Sequence, residues 1–85
     1  MDVTLHNGKE ITFDLNAFTL KEYMAIFEDD EKYQERSSEL VAKSSGMTAD
    51  EVQSLGYADN RKLFAAFFAK CRDVTKDPNS DSASS

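Results

Sequence analysis

The strongest constraint on the fold lies in the first fourteen residues. Residues 2–14, Asp-Val-Thr-Leu-His-Asn-Gly-Lys-Glu-Ile-Thr-Phe-Asp, alternate apolar and polar side chains around Asn7-Gly8, a pattern that predicts a β-hairpin. Side-chain parity selects the turn. A two-residue turn would set Val3 and Leu5 on the face opposite Ile11 and Phe13. A three-residue loop of His6, Asn7 and Gly8 instead pairs Val3 with Ile11 and Met1 with Phe13. All the apolar residues then share one face. Because a one-residue slip would send that set to solvent, a type I turn with a left-handed Gly8 bulge is expected. Leu15 extends the same face.

Beyond the hairpin the apolar spacing becomes helical. Thr19-Leu-Lys-Glu22 has the form of a capping box, with Phe18 and Tyr23 at the staple positions. The helix it opens carries Leu20, Tyr23, Met24 and Phe27 at i, i+3, i+4 and i+7, and this stripe is its expected packing face. The acidic run Glu28-Asp-Asp-Glu31 ends that helix, and Asp29 or Asp30 is placed to cap a second one over roughly 31–45. Its apolar face is thin, so it is expected at the edge of the domain, ending at Gly46. Thr48-Ala-Asp-Glu51 forms another capping box, stapled by Met47 and Val52, and leaves room for only a short helix before Leu55-Gly-Tyr57. The last helix, about 58–74, is the most apolar, with Leu63, Phe64, Phe67, Phe68, Cys71 and Val74.

The fold class that follows is α+β: an N-terminal hairpin packed on a bundle of three to four short helices, one domain over 1–74. Residues 75–85 offer one Ala and no larger packing residue and are expected to form a disordered tail. With 85 residues the core is small, but 40% apolar residues, including six Phe and three Tyr, are enough to fold.

Several function classes lose support at this level. A net charge of −6, with Lys and Arg interleaved among the acids, argues against nucleic acid and anionic membrane as partners. Met1-Asp2-Val3-Thr4 has no signal-peptide character, and no run is long enough to cross a membrane. Cys71 is the only cysteine, which excludes an internal disulfide and fits a reducing, cytoplasmic setting. His6 is the only histidine and falls in the hairpin loop, where a general base would lack an orienting partner. Cys71 falls on the apolar face of the last helix and reads as a small core residue. The run Glu28–Glu31 lacks the alternating ligands and glycine of a calcium loop, and Asp81-Ser82 lacks the helix a phosphopantetheine site needs. No catalytic residue, metal site or cofactor is expected, so the chain is expected to be a binding protein and not an enzyme. The candidate contact residues are Phe64 and Phe68, at the margin of the last helix's apolar arc, and Ile26, which flanks the stripe of the first helix. They would form a site for a protein partner or for self-association.

The order of these features resembles the small tail assembly chaperones of long-tailed bacteriophages and prophages. The matching pieces are the hairpin Val-Thr-Leu-His-Asn-Gly-Lys-Glu-Ile-Thr-Phe, the Leu-Lys-Glu-Tyr helix leading into Glu-Asp-Asp-Glu, and a middle helix. Gly-Met-Thr-Ala-Asp-Glu-Val-Gln-Ser-Leu and the aromatic Leu-Phe-Ala-Ala-Phe-Phe helix complete the set. The resemblance spans roughly residues 3–74 and departs at Leu55-Gly-Tyr57, where a polar helix cap would be more usual. It implies a protein of the host bacterial cytoplasm that binds the tape measure protein, keeps it soluble while the tail tube assembles, and is absent from the finished virion. Two alternatives stand beside it: a small acidic phage-encoded inhibitor of a host protein, and a structural tail or head-completion subunit that stays in the particle.

Overall fold

The structure is a computed structural model that describes residues 1–74; the tail expected over 75–85 lies outside the described residues. Its elements in chain order are β1 (Val3–Thr4), β2 (Glu10–Ile11), α1 (Leu20–Ala25), a 3-10 turn (Asp30–Lys32), α2 (Tyr33–Ser45), α3 (Ala49–Ser54) and α4 (Tyr57–Asp73). An N-terminal antiparallel hairpin therefore precedes four α-helices, the expected α+β arrangement.

The hairpin has the register that parity predicts. Val3 lies opposite Ile11 and Thr4 opposite Glu10. The Leu5 N–H donates to the Lys9 carbonyl (2.9 Å) and the Gly8 N–H to the Leu5 carbonyl (2.9 Å), which closes a three-residue loop. Gly8 takes φ 88°, the left-handed conformation that completes the bulge at no steric cost. Leu5, Ile11 and Phe13 are buried and Val3 is half-buried. Met1 departs from expectation and is 72% exposed. The position expected for Met1 opposite Phe13 is used differently. The Asp2 carboxylate accepts from the Phe13 N–H (2.8 Å) and from Lys70 Nζ (2.7 Å), so a side chain closes the ladder in place of another backbone pair.

Both capping boxes form. Thr19 and Glu22 exchange side-chain-to-backbone bonds at the start of α1, and Thr48 and Glu51 do so at α3. Phe18 and Tyr23 stack at 6.4 Å between centroids, the expected staple. Asp29 accepts from the Glu31 N–H (3.0 Å) and caps the 3-10 turn that leads into α2. Gly46, at φ 77°, ends α2. The last helix starts after Gly56 with no side-chain cap bond, in the segment where the polar cap is missing from the sequence.

The position of α2 differs from expectation. It packs against α1, the 3-10 turn, α3 and α4, and it buries Ser37, Ser38, Leu40, Val41, Ala42 and Ser44. This helix is the centre of the bundle and not its edge. The reason is chemical. Ser37 donates to the Tyr33 carbonyl (2.7 Å) and Ser44 to the Val41 carbonyl (3.1 Å), so these hydroxyls satisfy themselves on their own helix. They then act as small spacers that let neighbouring elements approach. A hydropathy pattern counts them as polar and misses that role.

The core joins Leu5, Ile11 and Phe13 of the hairpin to Ile26, Leu40, Val41, Val52, Leu63 and Phe67. Phe13 meets Phe67 edge-on at 5.5 Å and 74°, a preferred aromatic geometry. Asn60 donates to the Val52 carbonyl (2.9 Å), tying α4 to α3, and the Asp14 N–H donates to the Ser44 carbonyl (2.8 Å), tying the hairpin exit to α2.

Ser38 is the exception among the serines of α2: its hydroxyl is buried and has no hydrogen-bond partner among the described residues. Ser38→Ala removes an unsatisfied group and improves helix propensity. The expected outcome in urea denaturation is a gain of about 1 kcal/mol.

Candidate functional site

The three contact residues expected from sequence do not form one surface. Ile26 is 0% exposed and Phe64 5% exposed; both belong to the core and offer no area to a partner in this conformation. Only Phe68 is half-buried. The correction follows from how α1 is rolled. Ile26 lies about 60° around the helix from Tyr23, away from Met24. It faces the core on the side where α2 approaches and where Arg36 Nη1 donates to the Ala25 carbonyl (2.6 Å). Phe64 is covered by the Arg61 guanidinium, 4.9 Å above its ring, a cation–π contact.

Of the expected packing stripe, Tyr23 is half-buried against the core and the other three residues face outward. Leu20 is 72% exposed, Met24 57% and Phe27 53%. The side chains beneath connect this stripe to α4 and α2 through aromatic contacts. Tyr23 meets Phe27 at 5.3 Å and Phe68 at 6.5 Å, Phe27 meets Tyr33 at 6.0 Å, and Tyr33 stacks on Phe68 at 6.4 Å and 13°. Beside Leu20 the surface dips into a groove of about 340 Å³ lined by Leu15, Phe18, Tyr23, Cys71 and Val74. The result is one apolar face spanning α1, the start of α2 and the end of α4.

Burial acts on two titratable groups within this face. Burial pushes the Tyr23 phenol above its ordinary range. It also raises the Cys71 thiol, which disfavours the reactive thiolate. Charge gathers at the two ends instead. Lys21 is exposed next to Leu20, and Arg72 acts electrostatically on Tyr23. Glu28, Asp30 and Glu31 are exposed just past Phe27, with Lys32 the one exposed cation beside them.

A second feature sits at the hairpin loop. The His6 N–H donates to Asp59 Oδ1 (3.1 Å), and the His6 ring Nδ1 is hydrogen-bonded to Asp59 Oδ2. Asp59 is buried in the first turn of α4, while the imidazole is 80% exposed. Sequence reading placed His6 in the loop but missed its orienting partner, which lies 53 positions away. No Ser, Thr or Cys side chain is hydrogen-bonded to the imidazole among the described residues. The pair fastens the loop to α4, and the carboxylate also suits the positive end of that helix. No group of three His, Cys, Asp or Glu residues among the described residues is placed to hold a metal ion, and no helix there is long and apolar enough to cross a membrane. No protein-family model, curated protein or solved structure matches the chain.

The hydrogen bond from His6 holds the Asp59 carboxyl below its ordinary value, against the opposing effect of burial. Backbone bonds from Thr19 and Thr48 do the same for Glu22 and Glu51. For Asp2, burial raises the value, but the Lys70 and Phe13 bonds outweigh it. Carboxyls lowered in the folded state stabilise fully above their unfolded values near pH 4, and that stability is lost as pH falls through the lowered folded values. Stability by urea denaturation is therefore expected to drop between about pH 4 and pH 2. Asp59→Asn is expected to be less stable at pH 7 and to show a shallower acid decline.

Proposed function

We propose that this chain is a protein-binding module that holds an apolar helical segment of a client on the face formed by α1 and the end of α4. The supporting observation is the outward stripe Leu20, Met24 and Phe27, continuous with Tyr33 and Val74; among the described residues the only other exposed large apolar side chains are Met1 and Tyr57. Exposed apolar area grouped in this way marks interaction sites, and a groove flanked by a helix suits an amphipathic client helix. The acidic balance of the whole chain keeps such a face soluble.

The resemblance over residues 3–74 names the client. On that reading the protein is a phage tail assembly chaperone of the bacterial cytoplasm, and its client is the long, helical tape measure protein. Holding apolar stretches of the client on a small acidic carrier would keep them from aggregating until tube subunits cover them. This role needs no catalytic group, no metal and no cofactor.

Co-expression of the tagged chain with a tape measure protein from the same genome tests the proposal. Wild type is expected to recover that protein in soluble form, and the double variant Met24→Glu, Phe27→Glu at least tenfold less, with an unchanged far-UV spectrum. Failure of the wild type to recover it would sink the chaperone reading. Presence of the chain in purified particles would favour the structural subunit instead.

A further inference from the structure

We propose that this apolar face also pairs with a second copy of the chain, forming a weak two-fold dimer in which the α1 helices run antiparallel and cross near Met24. Pairing does not depend on the identity of the client. The case rests on the charge layout of the face together with its exposed apolar centre. Lys21 marks one end of the stripe, and the other carries Glu28, Asp30 and Glu31 against the one cation Lys32, so it stays net negative, with Leu20, Met24 and Phe27 between the two ends. A face that is positive at one end and negative at the other is complementary to itself only when turned end for end. A two-fold axis performs that operation, because it brings the same patch of both subunits together in opposite directions.

The spacing along α1 and the helical turn that continues it, where Phe27 N–H donates to the Met24 carbonyl and Glu28 N–H to the Ala25 carbonyl, agrees. Leu20 and Phe27 lie four and three residues either side of Met24, so at about 1.5 Å per residue each is within about 6 Å of the crossing point. Antiparallel pairing about Met24 sets Leu20 beside Phe27 of the second copy and Lys21 within reach of its Glu28. Parallel pairing would bring the acidic ends together. The carboxylate of Glu22, the one acid of α1, is already held by Lys43 at 3.0 Å and by the Thr19 cap.

A single short helix face covers less than the ~800 Å² per partner of a standard stable interface. The dimer is therefore weak, with a dissociation constant on the order of 100 μM. A client helix bound to the same stripe displaces it.

Sedimentation equilibrium of the full chain between 10 μM and 1 mM tests the proposal, since the average mass should approach twice that of the monomer at the upper end. Met24→Asp is expected to stay monomeric throughout. Lys21→Glu and Glu28→Lys should each weaken association at least fivefold, while the double reversal should return it to within twofold of wild type, because each swapped charge then meets its opposite across the axis. The two charge variants alter exposed side chains, so they remain informative if Met24→Asp fails to fold. A chain that is monomeric at 1 mM overturns the dimer, and if it still recovers its client, the chaperone reading stands alone. A dimer indifferent to Met24→Asp, or one that the double reversal does not restore, overturns the antiparallel arrangement.

Discussion

The structure depends on the closure of the hairpin onto α4, which joins the two ends of the described chain. Phe13 meets Phe67 in the core, and polar bonds fix both ends of the contact. Lys70 Nζ binds the Asp2 carboxylate and the Phe13 carbonyl, each at 2.7 Å. At the loop, His6 binds Asp59 through both its backbone and its ring. Each bond alone is worth little in water-accessible surroundings, but together with the buried Phe13–Phe67 contact they set the hairpin's angle across the helix. The segment between, residues 14–56, must then pack into the space these two elements leave.

That space determines how α2 is used. Ser37 and Ser44 close their hydroxyls onto carbonyls of the same helix, which makes a nominally polar face compact enough for the centre of the bundle. The close approach of α2 in turn decides how α1 is rolled. With Arg36 reaching the Ala25 carbonyl, Ile26 turns inward and the stripe of Leu20, Met24 and Phe27 turns outward. The exposed face is thus a consequence of packing elsewhere. Six of the eight residues from Leu20 to Phe27 are apolar, more than a two-turn helix can bury against one small core.

A domain of this size is a reasonable carrier for such a face. The aromatic chain from Phe67 through Phe68 and Tyr23 to Phe27 and Tyr33 runs from core to surface, so the exposed side chains are braced from below. Preorganised apolar surface of this kind binds with less loss of side-chain freedom than a loose one. Burial within the same face raises the Tyr23 phenol and the Cys71 thiol above their ordinary values.

Much of the architecture was legible in the sequence because it depends on local rules. Hairpin register follows from two-residue parity, the bulge from Gly8, the starts of α1 and α3 from Thr-x-x-Glu boxes, and the end of α2 from Gly46. What sequence left undecided was which of several apolar residues would be covered. Helical periodicity identifies a stripe but is silent on how a short helix rolls when it has more apolar surface than the core can accept. Ile26 and Phe64 went inside and Leu20, Met24 and Phe27 outside because α2 and Arg61 occupy the sides they do. Met1, expected against Phe13, lost its place to the Asp2 carboxylate. The His6–Asp59 pair joins positions 53 apart, a distance that no local pattern spans. Local chemistry determined the elements and their ends; long-range packing, in which neighbours compete for a limited core, decided which apolar side chains stay exposed.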